Sequence, residues 1–322
     1  MAGQPERKLK MTILGTIISL LLQAPVAPAT GPIVGVGNFS HITANLDRSL
    51  EFYRDVLGLE MNGQIRPFDP NPAIMKLGNT AGAQSRMVQL KVPGNAAALG
   101  VELIEYKDID RKPAAPRFQD PGAANLILRV PDLDVVVARV KKAGTRILTA
   151  AGGPVSIGNA RALFIQDPDG FVVELGQSAN GMGTGFEVAI EDTAQTVEFY
   201  KKAFGVEPNV GASFNDNKLM AETAGTPGAQ FRQSRFQIPG TSTSMTFIEF
   251  KGIDRKPLHT RTQDPGTAIL QLTVKDMDSA LKSLKAAGAT VISTGGEAVS
   301  IGTAKIALVR DPNNLFLELI QR

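Results

Sequence analysis

Apolar residues recur along the chain in two rhythms. Leu46, Leu50, Tyr53 and Leu57 fall three and four apart, with Phe52 and Val56 beside them. That spacing predicts an amphipathic helix lying on a sheet. Asn45 is its natural N-cap, because a short polar side chain can take an orphan amide of the first turn. Gly58 supplies a residue able to turn left-handed and stop it. The stretch just before, from Asn38, reads as a strand. The unit returns at Phe186–Val206, with Asp192 as cap, Phe199-Tyr200 for Phe52-Tyr53 and Gly205 for Gly58. Two further strand–helix units follow. Strand Asn125–Val130 leads to cap Asp132 and the stripe Leu133, Val136, Val137 and Val140, ending at Gly144. Strand Ile269–Val274 leads to cap Asp276 and the stripe Met277, Ala280, Leu281 and Leu284, ending at Gly288. Strands are also expected around Arg161–Gln166 and Val172–Leu175, with the turn Asp167–Gly170 between them.

The four units form an internal repeat. KDIDRKP at Lys107–Pro113 returns as KGIDRKP at Lys251–Pro257, QDPG at Gln119–Gly122 returns at Gln263–Gly266, and VSIG at Val155–Gly158 returns at Val299–Gly302. DPDGFVVEL at Asp167–Leu175 returns as DPNNLFLEL at Asp311–Leu319, and GAQSR at Gly82–Arg86 as GAQFR at Gly228–Arg232. The glycine-rich stretch Ser178–Gly185 reads as the joint between halves. Pro113 and Pro116 make the Arg-Lys-Pro segments loops, either solvated turns or covers over a cleft.

A length of 322 residues suits two domains. The absence of cysteine excludes disulfides and thiolate sites, and only two histidines, His41 and His259, are present. The first 29 residues differ in kind. Arg7, Lys8 and Lys10 precede the uncharged run Met11–Leu22, and Ala27-Pro28-Ala29 is a small-residue cleavage pattern. This predicts a signal peptide over 1–29 and an exported protein, with an uncleaved membrane anchor as the alternative. Losing three basic residues and Glu6 would take the net charge from +3 to +1. Nucleic acid is therefore not an expected partner, nor is stable membrane insertion after cleavage.

A strand, an Asn or Asp cap and a helix carrying Ser-x-x-Phe-Tyr and closing in Leu-Gly (Asn38–Leu59) resembles the opening of a vicinal-oxygen-chelate module, the glyoxalase, bleomycin-resistance and extradiol-dioxygenase superfamily. The resemblance covers nearly all the chain after residue 35. It implies an α+β fold of four βαβββ modules paired into two glyoxalase-like domains, 31–178 and 179–322, each with a cleft.

In metal-dependent members, as the resemblance implies, each module gives one ligand from its first strand and one from its last. Carried onto the first half, these positions are Asn38, Glu102, Asn125 and Glu174. The second half offers Gly185, Thr246, Ile269 and Glu318. Any centre is therefore expected in the first half, with one divalent metal there and none in the second. Glu102 and Glu174 would be catalytic groups or metal ligands, and Asn38, Ser40, Arg86 and Asn125 would contact substrate. His41 is a weaker metal candidate, since strand alternation turns it from Asn38's face. Carboxylates and amides suit a hard cation better than iron or zinc. The expected function is action on, or binding of, a small oxygenated molecule in the first cleft. The alternative is a metal-free protein that sequesters its ligand.

Overall fold

The computed structural model describes residues 31–241 and 243–322, so the leader and its cleavage pattern lie outside the described residues. The helices form where the periodicity placed them. Asn45, Asp132, Asp192 and Asp276 each cap a helix by accepting first-turn amides, satisfying donors that the helix itself cannot. The first differs in detail. Leu46–Glu51 is α-helical, but Phe52–Val56 widens into a π-helical turn before Gly58 closes it at φ +85°. Leu50, Tyr53 and Leu57 still point into the core.

Each repeat unit is a βαβββ module, spanning 33–107, 124–177, 183–251 and 268–321. The modules pair in a way the two halves of the sequence do not announce. Ile33–Thr43 of module one pairs with Ala268–Val274 of module four, antiparallel. Gly183–Ile190 of module three pairs with Ala124–Val130 of module two, also antiparallel. Two curved sheets result, one from modules one and four and one from modules two and three. Modules of the same half meet instead through helices and turns. In the second half, Tyr200 of the module-three helix reaches Asp311 in the module-four turn at 3.1 Å. In the first half, Tyr53 reaches Asp167 at 3.2 Å. One continuous apolar core joins residues of both sheets and the long helices.

The repeated Arg-Lys-Pro loops clasp the halves together. Lys112 N–H donates to Asp264 of the second QDPG at 2.8 Å, and Lys256 N–H to Asp120 of the first at 2.8 Å. Arg261 forks between Asp264 and Asp110, and Arg117 between Asp120 and Asp254. Arg111 and Arg255 donate to the carbonyls that end the first strands of modules one and three. The motifs recur because the clasp has two-fold pseudosymmetry. Asp120 and Asp264 are buried and accept charge-assisted bonds. Asp264→Ala is expected to lower the unfolding free energy by about 1–3 kcal/mol, measured by urea titration. A change below a few tenths of a kcal/mol would show the clasp to be incidental.

Candidate functional site

The sheet of modules one and four encloses an open cleft of about 1280 Å³. Its polar floor comes from neighbouring strands in register. Ser40 lies beside Glu102 on one side and Ile269 on the other, and Gln271 lies beside Glu318. Ser40 Oγ and Gln271 Nε2 donate to Glu102 Oε2 at 2.8 and 2.9 Å, and Gln89 Nε2 donates to Oε1 at 3.1 Å. Gln271 Oε1 in turn accepts from Asn38 N–H at 3.0 Å, which fixes the amide's orientation. Burial raises Glu102 above the ordinary carboxyl range, and the three donors offset part of that rise. Glu318 has no such donors among the described residues. Burial, then the charge of Glu102, pushes its carboxyl up to about 8. Its accessible surface is cavity surface, walled by protein, so partial exposure and strong desolvation coexist. With its carboxyl near 8, Glu318 carries a proton at neutral pH. The walls are apolar, with Ile74, Leu77, Met87, Ile104, Ile306 and Leu308.

The four positions expected to converge do not. Asn38 and Glu102 stand in this cleft, whereas Asn125 and Glu174 lie in the other sheet. The expectation of a centre confined to the first half is corrected by the crosswise pairing of modules. So is the dismissal of Glu318, which is Glu102's true neighbour. Gln271 was not singled out at all. Its signal was its place two residues beyond Ile269 on the same face of a strand. Ser40 is buried and does not line the cleft; its hydroxyl holds Glu102 from beneath the floor. Arg86 reaches only the rim, its guanidinium taken up by Glu105 and Asp47 at 2.7 and 2.9 Å. Glu105 also accepts the first helical amide, from Leu46, at 2.9 Å.

The second cleft, between modules two and three, is filled. Phe118, Phe164 and Phe231 stand where the open cleft has Thr262, Leu308 and Ser85 at equivalent repeat positions. Phe118 packs against Phe164 and Phe250 with ring centroids 5.3 and 5.2 Å apart. At the polar end, Arg129 lies across the sheet over Gly176, where any Cβ would collide with its guanidinium. It donates to Glu174 at 2.8 Å, both side chains being buried. Burial, then the neighbouring charge of Glu174, pushes Glu187 well above the usual range. Asn125 is buried opposite Glu187. Glu174 is therefore held by an internal cation, not placed to hold a metal with Glu102.

His41 faces away from both clefts. Its Nε2 lies 2.9 Å from Asp167 and 3.8 Å from Asp169, an ion pair by distance although not aligned as a hydrogen bond. The three could offer ligand atoms within 4.8 Å of one another. Every carboxylate oxygen there already has a donor, however. Asp167 accepts from Asp169 N–H, Phe171 N–H and Tyr53 Oη, and Asp169 from Ala44 N–H and Ser49 Oγ. Burial alone would lower the His41 pKa, but the two aspartates outweigh it and the net shift is upward. In the second half Val188 and Asn313 replace His41 and Asp169, so one positive and one negative charge vanish together. This is the pattern of a latch between modules. Neither place is a ready-made transition-metal site. At the latch a metal ion would displace five donors, and in the open cleft it would meet two carboxyls and no imidazole, a set that does not suit iron, nickel or zinc, with Glu102 already held by three donors.

These features meet known proteins in three ways. The family model described as the Glyoxalase/Bleomycin resistance protein/Dioxygenase superfamily matches residues 35–175 and again 185–319. A 2-epi-5-epi-valiolone epimerase from an Actinomyces species is 26% identical over 148 residues, 44% of this chain and 78% of that protein. The crystal structure of glyoxalase I from Zea mays superposes with a TM-score of 0.62 at 15% identity, covering 90% of this chain and 93% of that one. With two tandem matches spanning nearly all the described residues, the chain belongs to the glyoxalase, bleomycin resistance protein and dioxygenase superfamily.

Proposed function

We propose that this protein binds a small oxygenated organic molecule in the cleft shared by modules one and four, through its own side chains and without a metal. The observation that carries this reading is the open cavity with apolar walls and with Glu102 and Glu318 at its floor, one carboxyl held by three donors and the other carrying a proton. Binding sites of this kind pair apolar walls with a few placed polar groups. A neutral Glu318 can donate a hydrogen bond to a ligand oxygen, and Glu102 can accept one at its edge. A second reading, proton transfer next to a carbonyl, is favoured by the same Glu318, whose raised pKa matches a general acid or base near neutrality. It agrees with the name of the epimerase relative. We also propose export, on the strength of the leader's charge and apolar pattern.

Nile red, a neutral oxygenated dye, tests the binding reading. Its fluorescence should rise saturably with one site per chain, and Ile306→Trp, which fills the cleft from one wall, should abolish the rise. Magnesium, manganese, nickel and zinc should leave the thermal midpoint unchanged, since only a ligand of the native state raises it. Absence of saturable binding, or a midpoint raised by one of the metals, would overturn it.

A further inference from the structure

We infer that Tyr106 is the ligand-recognising hydroxyl of the open cleft, holding a neutral carbonyl or hydroxyl oxygen at its floor near Glu318. The inference rests on the binding reading above and names the chemical class of the ligand.

The chain has three tyrosines. Two are buried with their hydroxyls spent on the module latches, Tyr53 on Asp167 at 3.2 Å and Tyr200 on Asp311 at 3.1 Å. The third, Tyr106, buries its ring beside Leu77, Ala83, Ile269, Leu308 and Phe316, and only 4% of the residue is exposed. Its hydroxyl has no hydrogen-bond partner among the described residues and lines the cavity. The hydroxyl is not sealed in the core: it keeps an accessible face towards the cleft, where it can donate to a bound molecule. The repeat supplies an internal control. At the equivalent place in the filled cleft stands Phe250, packed edge-on against Phe118. Packing is served by phenylalanine there, and the hydroxyl appears only where the cavity is open.

The surroundings define what it meets. Glu318 likewise has no partner among the described residues and lines the same cavity. The fields of Glu318 and Glu102 both reach the Tyr106 hydroxyl and, after burial, hold it above its usual pKa range, so it remains a donor. An anion at the floor would lie against two desolvated carboxyls, Glu102 and Glu318, so the recognised oxygen is neutral. Ile74, Ile104, Ile306 and Met87 require an apolar body behind it. Of the three arginines in the lining, Arg86 is taken up by Glu105 and Asp47, whereas Arg66 and Arg322 leave room for polar or acidic substituents elsewhere on the ligand.

The test compares 1-tetralone with tetralin, which differ by the carbonyl oxygen, by calorimetric titration. Wild type should bind the ketone more tightly than the hydrocarbon. Tyr106→Phe, the residue the chain itself uses at 250, should weaken 1-tetralone binding about three- to tenfold, the range of one net hydrogen bond, and leave tetralin binding unchanged. The carbonyl stretching band of bound 1-tetralone should lie at higher frequency in the variant than in wild type. Unchanged ketone affinity, or equal losses for both probes, would overturn the inference, the latter by assigning Tyr106 to packing. If Nile red saturates but wild type does not prefer the ketone, the inference fails alone. If Nile red does not bind either, it falls together with the binding reading.

Discussion

Arg129→Met is expected to lower the unfolding free energy by roughly 3–5 kcal/mol, the cost of leaving a buried charge without its partner. Arg129 and Glu174 are both buried and 2.8 Å apart. Glu187, on the adjoining strand, is already forced towards its protonated form by burial and by Glu174. Without the guanidinium, Glu174 must either remain charged in an apolar enclosure or take up a proton at a cost that grows with pH. Met fills a similar length, so loss of packing is a smaller part of the effect. The double variant Arg129→Met/Glu174→Gln should recover most of the loss, because it removes the orphaned charge as well. Urea unfolding at pH 7.5 measures both. A single-variant loss below about 1 kcal/mol, in the range of a surface ion pair, would show that Arg129 is not the cation of the closed cleft.

Glu318→Gln should flatten the dependence of stability on pH. In the native protein Glu318 keeps its proton up to about pH 8. In the unfolded chain it releases it at roughly 4.3. Between those values the native state holds more protons than the unfolded state, so stability falls as pH rises through this window and levels off above it. The contribution is on the order of 3–5 kcal/mol over the whole window. Asp311, which burial raises to about 6, slopes in the same direction. The quantity to read is therefore the difference between wild type and Glu318→Gln in unfolding free energy from pH 5 to 9. The variant should gain on wild type steadily up to pH 8, whereas parallel profiles would place Glu318 at an ordinary pKa. The same variant decides the proton-transfer reading. Wild type should then speed exchange of the protons beside the carbonyl of 1-tetralone for deuterium in heavy water, and Glu318→Gln should not. Absence of exchange in wild type would leave binding as the function.

The modules were legible in the sequence because their determinants are local. An Asn or Asp cap, a three-and-four apolar spacing and a closing glycine act within one helix. Strand alternation likewise set Ser40 with Asn38 and turned His41 to the other face. The filling of the second cleft was also written in the chain, in Phe118, Phe164 and Phe231 against Thr262, Leu308 and Ser85, once it was known which residues face each other. That last fact was not local. Modules one and three carry nearly the same signals, as do two and four, so the pattern of a first strand such as Ile33–Thr43 does not by itself name its partner. The choice was made by contacts between distant segments. The Asp167 turn packs under the first helix and occupies module two on that side, while the Arg-Lys-Pro loops tie each half to the other's QDPG corner. Sequence by itself determined four modules, their caps and their faces. Tertiary structure alone decided that Glu102 answers to Glu318 and Glu174 to Arg129, because edge pairing depends on which strands are brought together and not on what either strand encodes.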